Sequence, residues 1–231
     1  MRYSYSKIAT FKDCPLRFKY AYIDNIKPKI PNSMLRGNFM HSILENIGKD
    51  ITYERFEYVL KNISWPLELP ESEIKSAISS VDKWFNLERF RDVVAVEKAF
   101  SIRLEGFELT GRIDRIDRLY DKTFSIIDYK TGYFNDYDGL QLQIYALVGY
   151  RLYDADDIVV KYEFIDRNET VAKSIQREQA EEFSKVLIGY MSEIEMAINS
   201  NYFPPYVSQK CRKCVFNDIC SAYNKMEDKH E

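Results

Sequence analysis

The sequence predicts an α/β fold: a mixed central β-sheet flanked by helices, with an N-terminal helical region and a Cys-rich C-terminal tail. Three observations predict it. The first 90 residues carry helical spacing of apolar side chains. Residues 93–130 then switch to period two, with short turn signals between β-branched and aromatic runs. A helix, a strand and a long amphipathic helix follow, so a meander continues into a βαβ unit. At 231 residues the chain is long enough to bury a core without cross-links, and one domain over 1–231 is expected. Its parts are a helical region (1–90), a core (91–200) and a tail (201–231).

In chain order, residues 4–23 form a helix entered through Ser4 or Ser6, with Pro15 forcing a break or a new first turn. Pro28 and Pro31 mark 27–32 as a loop. Helices follow at 35–48, where Met40, Ile43, Leu44 and Ile47 share a side, at 53–60 and at 71–90. Strands are predicted at 93–104, 107–120 and 123–130, joined by turns at Glu105-Gly106 and around Asp121-Lys122. A helix at 138–152, a strand at 158–166, a further extended segment at 169–174 and a helix at 177–200 complete the core.

Composition excludes several classes. Hydrophobic residues at 45% and charged residues at 30% are those of a folded globular chain. The longest stretch without formal charge is 14 residues (196–209) and holds Asn, Ser, Gln and Pro, well short of the ~20 apolar residues of a membrane helix. The N-terminus lacks an apolar signal core, so a cytoplasmic protein is expected. The formal net charge of −3 conceals an asymmetry. Residues 1–40 hold eight basic and two acidic side chains, and the remainder 25 and 34, so +6 is followed by −9. Lys7, Lys12, Arg17 and Lys19, interleaved with Tyr20 and other aromatics, suit a phosphate backbone with stacked bases, although a solvated helix face is the plainer alternative.

The meander can be placed in register. If Glu105-Gly106 is a two-residue hairpin loop, Leu104 faces Phe107, and one-to-one pairing puts Glu97 opposite Asp114. If the next turn is a three-residue loop at 120–122, Leu119 faces Thr123 and Asp114 lies opposite Asp128. Cβ atoms directly opposite are about 4.5–5.5 Å apart, so the three carboxylates repel unless a cation neutralises them. Hard oxygen ligands in this arrangement suit Mg²⁺ or Mn²⁺. Period two also puts Lys130 on the face of Asp128, where an ammonium can hold a water or offset charge on a phosphate.

These residues carry a family pattern. Gly111-Arg-Ile-Asp114, then Ile127-Asp128-Tyr129-Lys130-Thr131-Gly132, resembles the core of the PD-(D/E)XK nucleases. More narrowly the chain is similar to the RecB-type branch, which includes CRISPR-associated iron–sulfur exonucleases. Gly37-Asn-Phe-Met-His41 and Gln141-Leu-Gln-Ile-Tyr145 match two further motifs in the family's order, each pair one helical turn apart. The resemblance implies that Asp114 and Asp128 bind metal, with His41 as another ligand and the Tyr129 carbonyl completing the shell. It implies that Lys130 orients or activates water, and that Gln141 and Tyr145 support the site or touch DNA. Glu97 rests on the register argument.

The cysteines are Cys14 and Cys211-x2-Cys214-x5-Cys220. Four thiolates suit zinc or an iron–sulfur cluster, and the spacing alone does not choose. A lone Cys followed by a trio resembles the cluster-bearing nucleases, which implies a [4Fe–4S] cluster joining the tail to Cys14. The expected function is therefore a metal-dependent deoxyribonuclease acting as an exonuclease on single-stranded or frayed DNA. The alternative is a non-catalytic nucleic-acid-binding module or an accessory component of a larger complex. Expected partners are DNA and, through the resemblance, a helicase or CRISPR-adaptation proteins, with oligomerisation left open. The chain has no Gly-x-x-x-x-Gly-Lys phosphate loop, so a motor is expected on a separate protein.

Overall fold

The computed structural model describes residues 1–87, 92–131 and 139–223. Phe90, Gly132 and Asp138, which the sequence places at a helix end, in the core motif and at a helix start, lie outside the described residues. The fold is mixed α/β, with helices flanking a mixed sheet. The chain divides into two compact units: one of Met1–Ile30, Arg103–Leu109 and Lys185–Glu231, the other of Pro31–Ile102 and Thr110–Ser184.

The larger unit holds α3 (Asn32–Ile47), α4 (Tyr53–Asn62), α5 (Glu71–Leu87), most of β2 (Asp92–Leu104) and β3 (Phe107–Tyr120), β4 (Thr123–Lys130), α6 (Leu140–Leu152), β5 (Asp157–Phe164), β6 (Glu169–Ile175) and the start of α7 (Arg177–Ser200). β2 pairs with β3, β3 runs antiparallel to β4, β4 parallel to β5, and β5 antiparallel to β6. The parallel step is the crossover through α6. Alternation along β4 assigns its faces. Ile127 and Tyr129 join a core built from α3, α4 and α5, including Phe39, Met40, Ile43, Phe56, Val81 and Trp84. Ile126 belongs to the other face, where α6 approaches so closely that a Cβ on Gly149 would lie 2.5 Å from Ile126 Cδ1. α6 is buried along nearly its whole length, Gln141 included.

The turn between β3 and β4 departs from expectation. Arg115 opposes Ile127, Ile116 opposes Ile126, and pairing stays one-to-one to Arg118 and Phe124; it then slips, and Tyr120 opposes Thr123. The loop is the two residues Asp121-Lys122 with Leu119 bulged, not the predicted three-residue loop. The bulge absorbs the one-residue difference, so the register from Arg115 to Arg118 is the predicted one. At the other hairpin Glu105 and Gly106 both have positive φ (44° and 93°), the backbone of a tight two-residue turn.

The smaller unit contains β1 (Arg2–Tyr3), which sequence patterning missed. It pairs in parallel with Glu108 and Leu109 at the start of β3. α1 (Tyr5–Asp13) is capped by Ser4, whose side chain accepts from the Lys7 amide. Pro15 opens α2 (Pro15–Phe18), which passes into a π-helical turn at Lys19–Ile23. Phe18 is fully buried, with Phe11, Tyr22 and Phe203 around it at ring separations of 5.4, 5.2 and 6.4 Å. Among the described residues no helix is long and apolar enough to cross a membrane.

Candidate functional site

β3, β4, α3 and α6 bring the predicted chemical residues of the larger unit together. Asp114 accepts a 2.8 Å hydrogen bond from the Tyr129 amide through Oδ2, which links β3 to β4 one position beyond the Arg115–Ile127 pair. His41 Nδ1 of α3 lies 3.6 Å from the same oxygen. One ligand atom each from His41, Glu97 and Asp114 lie within 4.8 Å of one another. Glu97 reaches this point from a left-handed backbone (φ 49°), and burial along β2 breaks its alternation just after it, at Lys98 and Ala99. β2 is therefore irregular where the register argument supposed an uninterrupted strand. Gly37 makes room for α3: a Cβ there would stand 2.7 Å from Thr131 Oγ1, at the end of β4.

Asp128 is almost wholly buried. Its Oδ1 accepts from Gln141 Nε2 at 2.6 Å and lies 3.1 Å from the Tyr145 hydroxyl. Lys130 Nζ donates to Gln141 Oε1 at 2.7 Å, which fixes the orientation of the Gln141 amide, and sits 2.5 Å from Asp128 Oδ2 and over the Tyr162 ring. Although Lys130 is so near, Asp128 Oδ2 is buried and makes no well-directed hydrogen bond. Burial and the charge on Asp128 hold the Asp114 carboxyl well above the usual carboxylate range, and burial with the Glu45 charge raises Glu97. Burial lowers His41 and, with Asp128 and Asp114, raises the Tyr145 phenol well above normal. Each carboxyl shift has the same cause, negative charge crowded into a poorly solvated place.

Behind β4 lies a network that sequence reasoning missed. Arg115 Nε donates to Asp117 Oδ1 at 2.6 Å, with both side chains at most 2% exposed, and Nη1 donates to the Tyr129 hydroxyl at 3.5 Å. Trp84 Nε1 donates to Glu163 at 3.1 Å, and its ring meets Tyr129 edge-on at 5.5 Å. The signal was available: Arg115 and Asp117 are two opposite charges on one face of a strand otherwise walled by Ile113 and Ile116, so each needs the other.

In the smaller unit all four cysteines line one cavity, together with Arg17, Tyr20, Tyr206 and Phe216. Two backbone amides point at sulfur: Tyr206 donates to Cys14 Sγ at 3.3 Å and Ser208 to Cys211 Sγ at 3.4 Å. The predicted nucleic-acid contacts have partners inside the chain. Lys19 pairs with Asp24 at 2.7 Å and Arg17 lies 3.7 Å from Asp13. Lys7 donates to the Arg2 carbonyl, Lys12 covers the Tyr190 ring, and Tyr20 packs on Phe216.

A family model of the PD-(D/E)XK nuclease superfamily matches residues 2–221. The chain belongs to the PD-(D/E)XK nuclease superfamily. It is RecB-like within it, similar to one of the ATP-dependent helicase/deoxyribonuclease proteins of Streptococcus pyogenes, in strains NZ131 and MGAS315, at 27% identity over 118 residues. That match covers 44% of this chain and 11% of the streptococcal protein, so the chain spans about a tenth of the length of these relatives. Among solved structures, a Eubacterium rectale protein provisionally described as an exonuclease superposes with a TM-score of 0.55 at 12% identity, covering 94% of this chain and 88% of the other. PD-(D/E)XK nucleases use divalent metals, and the donors here suit one. His41, Glu97 and Asp114 converge, and the buried Asp128 Oδ2 still lacks a well-directed partner. Carboxylate oxygens with one imidazole are a hard donor set, which favours Mg²⁺ or Mn²⁺.

Proposed function

We propose that this chain is a metal-dependent deoxyribonuclease, an exonuclease acting on single-stranded or frayed DNA. The observation that carries this reading is the convergence of His41, Glu97 and Asp114 with the buried, under-satisfied Asp128 beside Lys130. Asp114, Asp128, His41 and the Tyr129 carbonyl would hold the ion, with Glu97 at its margin. A bound divalent ion supplies charge neutralisation at the scissile phosphate and lowers the cost of deprotonating the attacking water. The chain's own residues supply orientation. Gln141 and Tyr145 lock Asp128 Oδ1, and Lys130, held between Gln141 and Asp128, presents an ammonium that can orient water and offset charge growing on the phosphate. Hydrolysis then forms one bond from water oxygen to phosphorus and breaks one from phosphorus to the leaving sugar oxygen.

End-labelled linear and circular single-stranded DNA, incubated with Mg²⁺ or Mn²⁺, test this. Stepwise shortening of the linear strand is expected, with the circle left intact. Asp114→Ala and Lys130→Ala should each abolish cleavage with the fold retained. Wild type that binds the linear strand and leaves it whole with either metal overturns the enzyme reading. The nuclease match and the helicase/deoxyribonuclease name of the relatives support DNA as substrate and a helicase as a partner; the CRISPR-adaptation alternative rests on the motif resemblance.

The second part of the proposal is a [4Fe–4S] cluster on Cys14, Cys211, Cys214 and Cys220. The shared cavity and the two amides directed at sulfur support thiolate ligands, since such hydrogen bonds stabilise sulfur that carries charge. Protein purified without oxygen should be brown and contain about four irons per chain if one such cluster is bound. A colourless protein carrying zinc overturns the assignment.

A further inference from the structure

The longest charge-free stretch of the chain, residues 196–209, holds two large aromatic side chains that the fold leaves outside. Tyr202 is 67% exposed and Tyr206 65%, whereas Phe203 is buried and stacks on Phe18. The backbone fixes both ends of this segment. The Tyr202 amide donates to the Ala197 carbonyl at the end of α7, and the Tyr206 amide donates to Cys14 Sγ. Pro204 and Pro205 stand between them and stiffen the segment. The 3₁₀ turn that follows, Gln209–Lys213, exposes Arg212 and Lys213, and Tyr206 shares a cavity wall with Arg17 and Lys210.

An exposed aromatic normally costs solubility, and a fold that buries Phe203 could bury its neighbours. Two tyrosines held outward on a proline-stiffened strap beside cations match a ligand with flat apolar faces and a negatively charged backbone. A folded protein partner would favour a wider aliphatic patch than two rings separated by prolines.

We propose that Tyr202 and Tyr206 form a base-stacking platform for single-stranded DNA, with Arg212 and Lys213 neutralising its phosphates. This rests on the nuclease reading and adds to it a surface among residues outside the motifs. Sequence reasoning placed the aromatic contacts in the first 40 residues, but there Tyr20 packs against Phe216.

The test measures binding of a fluorescein-labelled oligo(dT) by the full chain, purified with its cysteine site loaded, in a Lys130→Ala background so that the strand is not consumed. Tyr202→Ala with Tyr206→Ala should weaken binding at least about tenfold. Tyr202→Phe with Tyr206→Phe should restore it, because the rings act through their faces. Arg212→Ala with Lys213→Ala should reduce the slope of log K against log salt by about 1.4, two charges on a single strand. Both rings being largely solvated, the melting temperature of the alanine pair should equal its parent's. A parent that binds while the alanine pair binds equally well overturns the platform alone. A phenylalanine pair as weak as the alanine pair overturns stacking as the cause. A parent that fails to bind, with wild type inert towards DNA, removes the nuclease reading and the platform together.

Discussion

Gly37 shows how much of the site rests on one missing side chain. α3 passes the end of β4 so closely that a methyl group at Gly37 would press on Thr131 Oγ1 at 2.7 Å. His41 sits one turn further along the same helix, on the same face. Gly37→Ala removes no ligand and improves intrinsic helix propensity by about 0.8–1 kcal/mol, so a propensity argument alone expects a more stable protein. The contact argument expects α3 to be levered away from β4, carrying His41 from Asp114. The expected result is a cleavage rate reduced at least about tenfold, since misplacement by an ångström at a catalytic centre is that costly. Gly37→Ala combined with Thr131→Ala should recover most of the loss, because the second change removes the atom the methyl would strike. Single-turnover rates for the two single variants and the double variant check the coupling, and strictly additive losses would contradict it.

At the scale of elements, the β3–β4 pair is both scaffold and liability. It places Asp114 and Asp128 together in a buried position, and burial with the Asp128 charge keeps the Asp114 carboxyl well above the ordinary carboxylate range. A carboxyl with a raised pKa binds its proton more tightly in the folded state, so without metal, stability falls as pH rises through the unfolded value of ~3.9 towards the folded one. Asp114→Asn should therefore raise the melting temperature in EDTA at neutral pH by a few degrees, the size of change about 1 kcal/mol makes in a domain of this length. The amide oxygen can still accept from Tyr129, so packing is kept. The same variant should lose most of the Mn²⁺-induced rise in melting temperature that wild type shows; thermal scans with and without metal measure both.

The strands of this pair were legible in sequence to within a residue at either end, because period two and turn residues are local signals. The register was legible for a less secure reason: a bulge at Leu119 made a two-residue turn equivalent to the three-residue loop expected. What patterning missed lacks local signals. β1 is two residues long and exists only through its pairing with β3. α3 begins at Asn32, earlier than expected, after Pro31 and without a side-chain cap to mark it. Gln141 and Tyr145 were found through their motif, whereas the Arg115–Asp117 pair behind β4 becomes visible only once Tyr129 and Trp84 are known to cover it.

Over the whole chain, the most distant connection lies in the cysteine cavity, where the Tyr206 amide meets Cys14 Sγ across 192 positions of sequence. A cluster on four thiolates would make that connection a cross-link. Closing so long a loop removes entropy from the unfolded chain worth on the order of 5 kcal/mol by the model used for disulfides, comparable to the whole stability of a modest domain. The benefit falls on the smaller unit, whose core of Phe11, Phe18, Tyr22 and Phe203 draws on both ends of the sequence. Removing iron by oxidation and chelation, or replacing Cys214 by serine, should raise hydrogen–deuterium exchange in residues 1–30 and 201–223. The β4 and α6 peptides of the larger unit, whose backbones are tied by their own strand pairing and helix, should keep their protection at short times. Exchange mapped by mass spectrometry distinguishes this from a cluster that only carries electrons: for such a cluster, iron loss would leave the protection of the 1–30 and 201–223 peptides unchanged.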